Sequence, residues 1–312
     1  MSVVGRLAPS PTGLLHLGHA RTFLLAWCSA RAQNGRILLR IEDLDGERAK
    51  PEFIAAAKRD LEWLGLDWDG QVIVQSAGLE QITAAVQSLL EQGLAYPCTC
   101  TRQDLRESQS APQLGVSEPR YPGTCRGRYP SLAEAERASG RRAGIRLRVA
   151  EGPTQFEDRI AGGQSFDVQA DVGDFLIARR SGVPAYQLAV VVDDARESVS
   201  EIVRGDDLLP STARQMLLQR ALGLPHPRWA HVPLVLDEQG RRLAKRSADL
   251  GLSELRERGV DPRRIVAWAA RSAGLGVAER MTASELLPEF SLERVARTPV
   301  RLGSADLGML TR

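Results

Sequence analysis

Residues 2–19 read "SVVGRLAPSPTGLLHLGH". The first six are a short apolar run of strand length. In "APSPTG" two prolines and a glycine stop any regular element. A helix then begins near Leu17 and runs through "LGHARTFLLAWCSARAQNG", with Asn34-Gly35 as its stop signal. Strand, loop and helix in this order place the loop at the carboxyl edge of a sheet, where α/β folds bind ligands. The start of the helix adds free backbone N–H groups and a positive dipole end, which suits phosphate. His16 and His19, two of only four histidines in the chain, fall on one face of that first turn. Imidazoles there can donate to phosphate oxygens as charge develops in a transition state. Taken as an isolated pair, His-x-x-His also suits a metal. Neither the P-loop spacing nor Gly-x-Gly-x-x-Gly is present.

Outward from this stretch, "RILLRI" (36–41) predicts a second strand. Pro51 opens a helix to about Leu64, with Phe53, Ile54, Ala57, Leu61 and Leu64 on one face. Another helix is expected near 79–92. This alternation predicts an α/β fold built on a parallel, doubly wound sheet. From 96 to 175 the pattern changes to short strands, such as "GIRLRV", and to loops, including a Ser/Pro/Gly-rich tract at 108–130. "YQLAVVVDD" (186–194) reads as a buried strand, and "SEIVRGDDLLPSTARQMLLQRALGL" as strand end, turn and helix. The expected layout is a sheet domain in two halves, 1–95 and 176–250, split by an insertion at 96–175 and followed by a helical part at 251–312.

Composition sets the limits. With 43% hydrophobic and 26% charged residues, the 312-residue chain has enough apolar surface for about two globular domains. No apolar run approaches the ~18 residues of a membrane span. The N-terminus lacks the basic-then-apolar layout of a signal peptide, so a cytoplasmic protein with no membrane partner is expected. Formal net charge is +2, too small to mark a partner by itself. Lys50, Lys58 and Lys245 are the only lysines among 41 basic residues. A lysine kept against that bias marks a place where a point charge on a flexible stem is useful.

Three of the four cysteines, Cys98, Cys100 and Cys125, cluster in the insertion. In a reducing compartment such spacing suggests tetrahedral zinc rather than disulfides. Three unrelated thiols are the plain alternative. No histidine lies nearby, so Asp104, Glu107 and Glu118 are possible oxygen ligands. Cys28, inside the first helix, reads as core packing.

The stretch "RLAPSPTGLLHLGHART" resembles the signature of class I aminoacyl-tRNA synthetases of the glutamyl branch, with His16-Leu17-Gly18-His19 at the "HIGH" element. "RIEDLD" (40–45), "YQLAVVVDD" (186–194), "IVRGDDLLPSTARQ" (202–215) and "HVPLVLDEQGRRLAKRS" (231–247) are similar to further segments of that family, in order. The resemblance implies a Rossmann-like catalytic domain that takes ATP with Mg²⁺ and forms glutamyl-adenylate. It implies that His16 and His19 meet the phosphates. It also implies that Lys245 is the functional lysine of a KMSKS-like loop, here altered at Arg242 and Ala244. Alone, "RRLAKRS" would read as a solvated basic loop.

The same resemblance places Arg6, Ala8, Ser10, Glu42, Tyr186 and Arg204 at the glutamate site. Two arginines suit an acidic substrate, and Glu42 suits its ammonium group. "APSPTG" favours glutamate over the "PPEPNG" of the glutaminyl branch. For the metal, the resemblance implies one structural zinc on Cys98, Cys100, Tyr121 and Cys125.

Only 65 residues follow Ser247, which leaves no room for two helical anticodon-binding domains. That architecture is similar to the glutamyl-queuosine family. The resemblance implies that glutamate is activated without tRNA and passed to queuosine at the wobble position of tRNA(Asp), on the anticodon stem-loop. A monomer is expected. A glutamyl-tRNA synthetase charging a 3′ end is the alternative, and a non-catalytic paralogue that binds glutamate or tRNA is a third reading.

Overall fold

The computed structural model describes residues 2–107, 120–243 and 251–310. β1 (Val4–Leu7), α1 (Leu17–Arg31), β2 (Arg36–Ile41), α2 (Pro51–Trp63) and β3 (Ile73–Val74) follow one another, and the three strands pair in parallel in the order β1-β2-β3. The tight α1–β2 turn explains its sequence. Asn34 takes a left-handed φ of 52°, and a Cβ at Gly35 would stand 2.5 Å from the Val3 carbonyl.

α3 (Leu79–Glu91) leads to β4 (Ala95–Cys98), α4 (Arg102–Glu107), α5 (Leu132–Ser139) and β5 (Gly144–Leu147). The Ser131 side chain caps α5 by accepting the Glu134 N–H. β6 (Thr154–Asp158), β7 (Gly162–Phe166), α6 (Val168–Asp171) and β8 (Leu176–Ala178) come next. β4, β5 and β8 make a separate antiparallel sheet.

The run at 186–194, expected as a strand, is instead helix α7 (Tyr186–Arg196). Gln187, Leu188, Ala189, Val190, Val191, Asp193 and Asp194 are all buried, and the partly open face carries apolar Val192 and Ala195, so residues 186–194 show no polar face to give a 3.6-residue rhythm. A helix without a polar face reads like an apolar strand. β9 (Glu201–Gly205), α8 (Leu209–Leu222) and β10 (Arg228–Val232) then follow the expected order.

β9 and β10 pair in parallel, and β10 also pairs in parallel with β6, giving the order β7-β6-β10-β9. The β6–β7 hairpin thus lies within 96–175 in sequence but on this sheet in space. The two parallel sheets meet where Ser200 donates its N–H to the Val4 carbonyl at 2.9 Å and its hydroxyl accepts from the Val4 N–H at 3.0 Å. Around that seam the strand order switches from one half to the other, the usual ligand position of a doubly wound sheet.

β11 (Val235–Leu236), α9 (Leu252–Glu257), α10 (Pro262–Ser272), α11 (Ala283–Leu286), β12 (Val300–Arg301) and α12 (Ser304–Leu310) complete the described chain. α10 starts where Asp261 accepts the Arg263 N–H and Pro262 fixes the first turn. Its buried Ile265, Val266 and Trp268 join the core of α1. Each such side chain contributes about 1.5–3 kcal/mol on burial. Among the described residues no helix is long and apolar enough to cross a membrane.

Candidate active site

Arg6, Glu42 and Arg204, expected at the glutamate site, gather at the carboxyl ends of β1, β2 and β9. Arg6 is near the end of β1, Glu42 directly follows β2, and Arg204 is near the end of β9. Tyr186 opens α7 and is half-buried. Ala8 and Ser10 lie in the loop after β1, Ala8 half-buried and Ser10 exposed. The Pro9 carbonyl accepts the Glu42 N–H at 3.1 Å, tying that loop to the end of β2.

A buried charge network supports the pocket. Arg6 Nε stands 3.2 Å from Asp194 Oδ1. Arg40 reaches Glu42 Oε1 at 3.1 Å, Asp194 Oδ1 at 2.8 Å and Glu197 Oε2 at 2.7 Å. Burial pushes the Glu42 carboxyl up, against the opposing pull of Arg40 and Arg6. For Asp194 burial acts the same way, but Arg40 and Arg6 outweigh it and hold the carboxyl below its ordinary range. Arg40 and Asp194 were absent from the expected set. The sequence signal was available: Asp193-Asp194 closes an otherwise apolar run.

Arg204 is held differently. Its Nε donates to His231 Nε2 at 3.0 Å and its Nη2 to Thr212 Oγ1 at 2.8 Å. Its Nη1 is buried with no hydrogen-bond partner. Burial works against its charge, Arg6 adds to that effect, and Tyr186, Asp194 and Glu42 offset it. A buried guanidinium nitrogen without an acceptor is costly unless a ligand completes it. A carboxylate would do so.

His16 caps α1, and its N–H donates to His19 Nδ1 at 3.1 Å. The two rings lie 3.8 Å apart, centroid to centroid. A Cβ on Gly18 would stand 3.0 Å from the His16 ring, so glycine leaves room for the ring against the helix start. The helix N-terminus thus carries two imidazoles side by side, tilted 33° to each other, an arrangement suited to phosphate oxygens.

Lys245 and Ala244 lie outside the described residues. The chain on either side is anchored near the histidines. Gly251 bridges to His16, and the Leu252 N–H donates to the Leu15 carbonyl at 2.9 Å. Arg242, at the position of the first KMSKS-like lysine, pairs with Asp207 at 2.7 Å.

In the other sheet region Cys98, Cys100 and Cys125 bring their sulfurs within 4.8 Å of one another. Tyr121 Oη lies 3.4 Å from Cys98 Sγ and 4.0 Å from Cys100 Sγ, and accepts the Cys125 N–H at 2.8 Å. Metal–sulfur bonds of ~2.3 Å in a tetrahedron need sulfurs ~3.8 Å apart. The cysteine triad therefore fits a metal ion. Its hydrogen bond with Cys98 pulls the Cys125 thiol well below its ordinary value, which favours the thiolate form that a metal needs. Arg146 Nε stands 3.2 Å from Cys98 Sγ, a cation beside the thiolate cluster. Asp104 is committed elsewhere, to the Thr101 N–H at 2.7 Å and Arg141 at 3.0 Å. Glu118 lies outside the described residues, as does the side chain of Glu107. Cys28 is buried within α1, as expected.

Residues 2–301 match the family of class I tRNA synthetases (E and Q), catalytic domain. The chain is 44% identical to the glutamyl-Q tRNA(Asp) synthetase of Symbiobacterium thermophilum, over 98% of each chain. It is 45% identical to that of Nocardia farcinica, over 98% of this chain and 94% of the relative. The glutamate–tRNA ligase of Parasynechococcus marenigrum is 39% identical over 98% of this chain but 66% of its own length. The crystal structure of glutamate-tRNA synthetase from Elizabethkingia anophelis superposes with a TM-score of 0.84 at 25% identity, across 98% of this chain and 69% of that one. Two guanidiniums and a carboxylate at the sheet edge, the paired histidines at a helix start and these similarities converge: the chain belongs to the glutamyl-Q tRNA(Asp) synthetase family of class I tRNA synthetase-like ligases.

Proposed function

We propose that the protein activates L-glutamate with ATP, without tRNA, and transfers the glutamyl group to queuosine in the anticodon of tRNA(Asp). The observation that carries the glutamate reading is the pocket charge pattern. Arg6 and Arg204 supply cations for two carboxylates, with Nη1 of Arg204 open to an acceptor. Glu42 supplies the anion for the ammonium group. Ala8, Ser10 and Tyr186 line the same site.

In the first step an α-carboxylate oxygen of glutamate attacks the α-phosphorus of ATP. The bond to the β-phosphate oxygen breaks, giving glutamyl-adenylate and pyrophosphate. His16, His19 and Lys245 offset charge on the phosphates, and bound Mg²⁺ adds to that neutralisation. In the second step a hydroxyl of the queuosine cyclopentene diol attacks the acyl carbon. The ester forms, AMP leaves with the bonding pair, and the hydroxyl proton is released. The diol is chemically like the ribose diol of a tRNA 3′ end, so one site chemistry serves either acceptor. Relatives named for the queuosine reaction match this chain along nearly their whole length, which favours that acceptor.

The test is transfer of labelled glutamate to tRNA(Asp) with and without queuosine, beside tRNA(Glu). Label confined to queuosine-containing tRNA(Asp) is expected. Label on tRNA(Glu) irrespective of queuosine would move the assignment to 3′-end charging. Failure of glutamate-dependent ATP–pyrophosphate exchange both without and with tRNA would sink both and leave a binding protein.

Cys98, Cys100, Tyr121 and Cys125 would hold one structural zinc, tying the β4 strand end to the segment before α5. Metal analysis of the purified protein is expected to give about one zinc per chain. Cys125→Ser is expected to lose most of that metal and to lower the unfolding temperature. Active protein free of metal would refute the site.

A further inference from the structure

Arg204 needs a support that fixes both its position and its charge, and the structure contains one. Asp158, the last residue of β6, accepts the His231 N–H at 3.1 Å through Oδ1 and lies 2.6 Å from His231 Nδ1 through Oδ2. His231 sits in β10 in register with Arg204 on β9. Asp158, His231 and Arg204 are all buried.

We propose that Asp158 and His231 are positioning residues for Arg204: together they lock its guanidinium so that Nη1 faces the substrate carboxylate. The inference rests on the glutamate reading above and deepens it.

The chemistry runs in one direction along the chain of contacts. Burial pushes the Asp158 carboxyl up, but bonds from His231 and the Ala161 N–H outweigh it and bring it down to about 2. An ionised Asp158 only accepts, so Nδ1 of His231 carries a proton. Burial pushes the imidazole below its ordinary value, against the opposing pull of Asp158, so the ring is neutral at neutral pH. Nε2 is then bare and can accept from Arg204 Nε, which only donates. Thr212 Oγ1 lies 3.2 Å from the same Nε2 and also takes Arg204 Nη2. Trp229 lies beneath the guanidinium at 5.1 Å. Nε and Nη2 are thereby spent on the protein, and Nη1 is left for the ligand. Asp158 comes from β6, His231 from β10 and Arg204 from β9, so β6 acts on the proposed glutamate contact through two intermediaries.

The test is a double-mutant cycle in glutamate-dependent ATP–pyrophosphate exchange. His231→Asn in the wild-type background is expected to raise KM for glutamate by about tenfold or more, the cost of a lost charge-assisted hydrogen bond, with KM for ATP unchanged. In an Arg204→Ala background the same substitution is expected to add nothing to KM for glutamate, because its effect runs through Arg204. Equal effects in both backgrounds, or matching rises in both KM values, would overturn the proposal in favour of a structural role. Asp158→Asn, nearly isosteric, carries the same cycle if the histidine variant does not fold. A readout independent of turnover is the ring-nitrogen NMR spectrum of His231. A neutral ring protonated at Nδ1 is expected at neutral pH, and protonation at Nε2 would overturn the proposal whether or not the protein activates glutamate.

Discussion

Replacing Arg40 with methionine is expected to destabilise the protein by about 3–5 kcal/mol, the usual cost of removing one partner from a buried ion pair. The side chain is fully buried and serves three carboxylates, Glu42, Asp194 and Glu197. Methionine fills part of the volume but leaves those carboxylates without their main counter-ion, and Arg6 reaches only Asp194 among them. For a chain of this size the unfolding temperature should fall by about 5–8 °C. The loss has a pH signature. Without Arg40 the native-state carboxyls titrate higher than in the unfolded chain, so the folded variant takes up protons as pH falls. Its deficit relative to wild type should therefore shrink from neutral pH toward acid.

The same substitution should raise KM for glutamate. Burial already pushes Glu42 up, and Arg40 is first among the groups opposing that push. A Glu42 that becomes neutral no longer pairs with an ammonium group. Denaturation curves at neutral and acid pH, with exchange kinetics beside them, check both halves. An unfolding temperature within about 2 °C of wild type would show that the network does not depend on Arg40.

Arg40 also shows where reading the chain from sequence stops. The expected site residues share short contiguous motifs, and the fold brings Arg6, Glu42, Tyr186 and Arg204 to one sheet edge because each sits at the end of an element whose length is locally encoded. Their partners are not local. Arg6 and Asp194 are 188 positions apart, and Asp158 and His231 are 73 apart. No periodicity links such pairs, and only the crossover topology does. The α7 error has a related cause. Hydrophobic rhythm reports the contrast between a polar and an apolar face, and a helix whose partly open face carries Val192 and Ala195 shows little of it. Likewise the β6–β7 hairpin lies within the expected insertion in sequence but takes its place on the main sheet through parallel pairing with β10, a contact that turn signals cannot announce.

Lys245→Ala is expected to slow glutamate-dependent exchange by about 100-fold to 1,000-fold, the range for removing one preorganised charge from a transition state. The residue lies outside the described structure, but the chain on both sides of it is described. As the α-phosphorus is attacked, negative charge builds on the departing pyrophosphate. In the proposed mechanism His16 and His19 meet one side of the phosphate chain from the start of α1, and Gly251 and Leu252, just beyond the segment that carries Lys245, are tied by backbone to His16 and Leu15. An ammonium group delivered from that segment acts where charge develops rather than where it already exists. The effect should therefore fall on kcat, with KM for glutamate little changed. Lys245→Arg should restore only part of the rate, because a planar guanidinium cannot occupy the place of a compact point charge. That fits the retention of lysine here in a chain whose basic residues are otherwise almost all arginine. Near-normal exchange by the alanine variant would remove Lys245 from the chemistry. It would leave Arg242, paired with Asp207 at the other end of the segment, as the cation to test next.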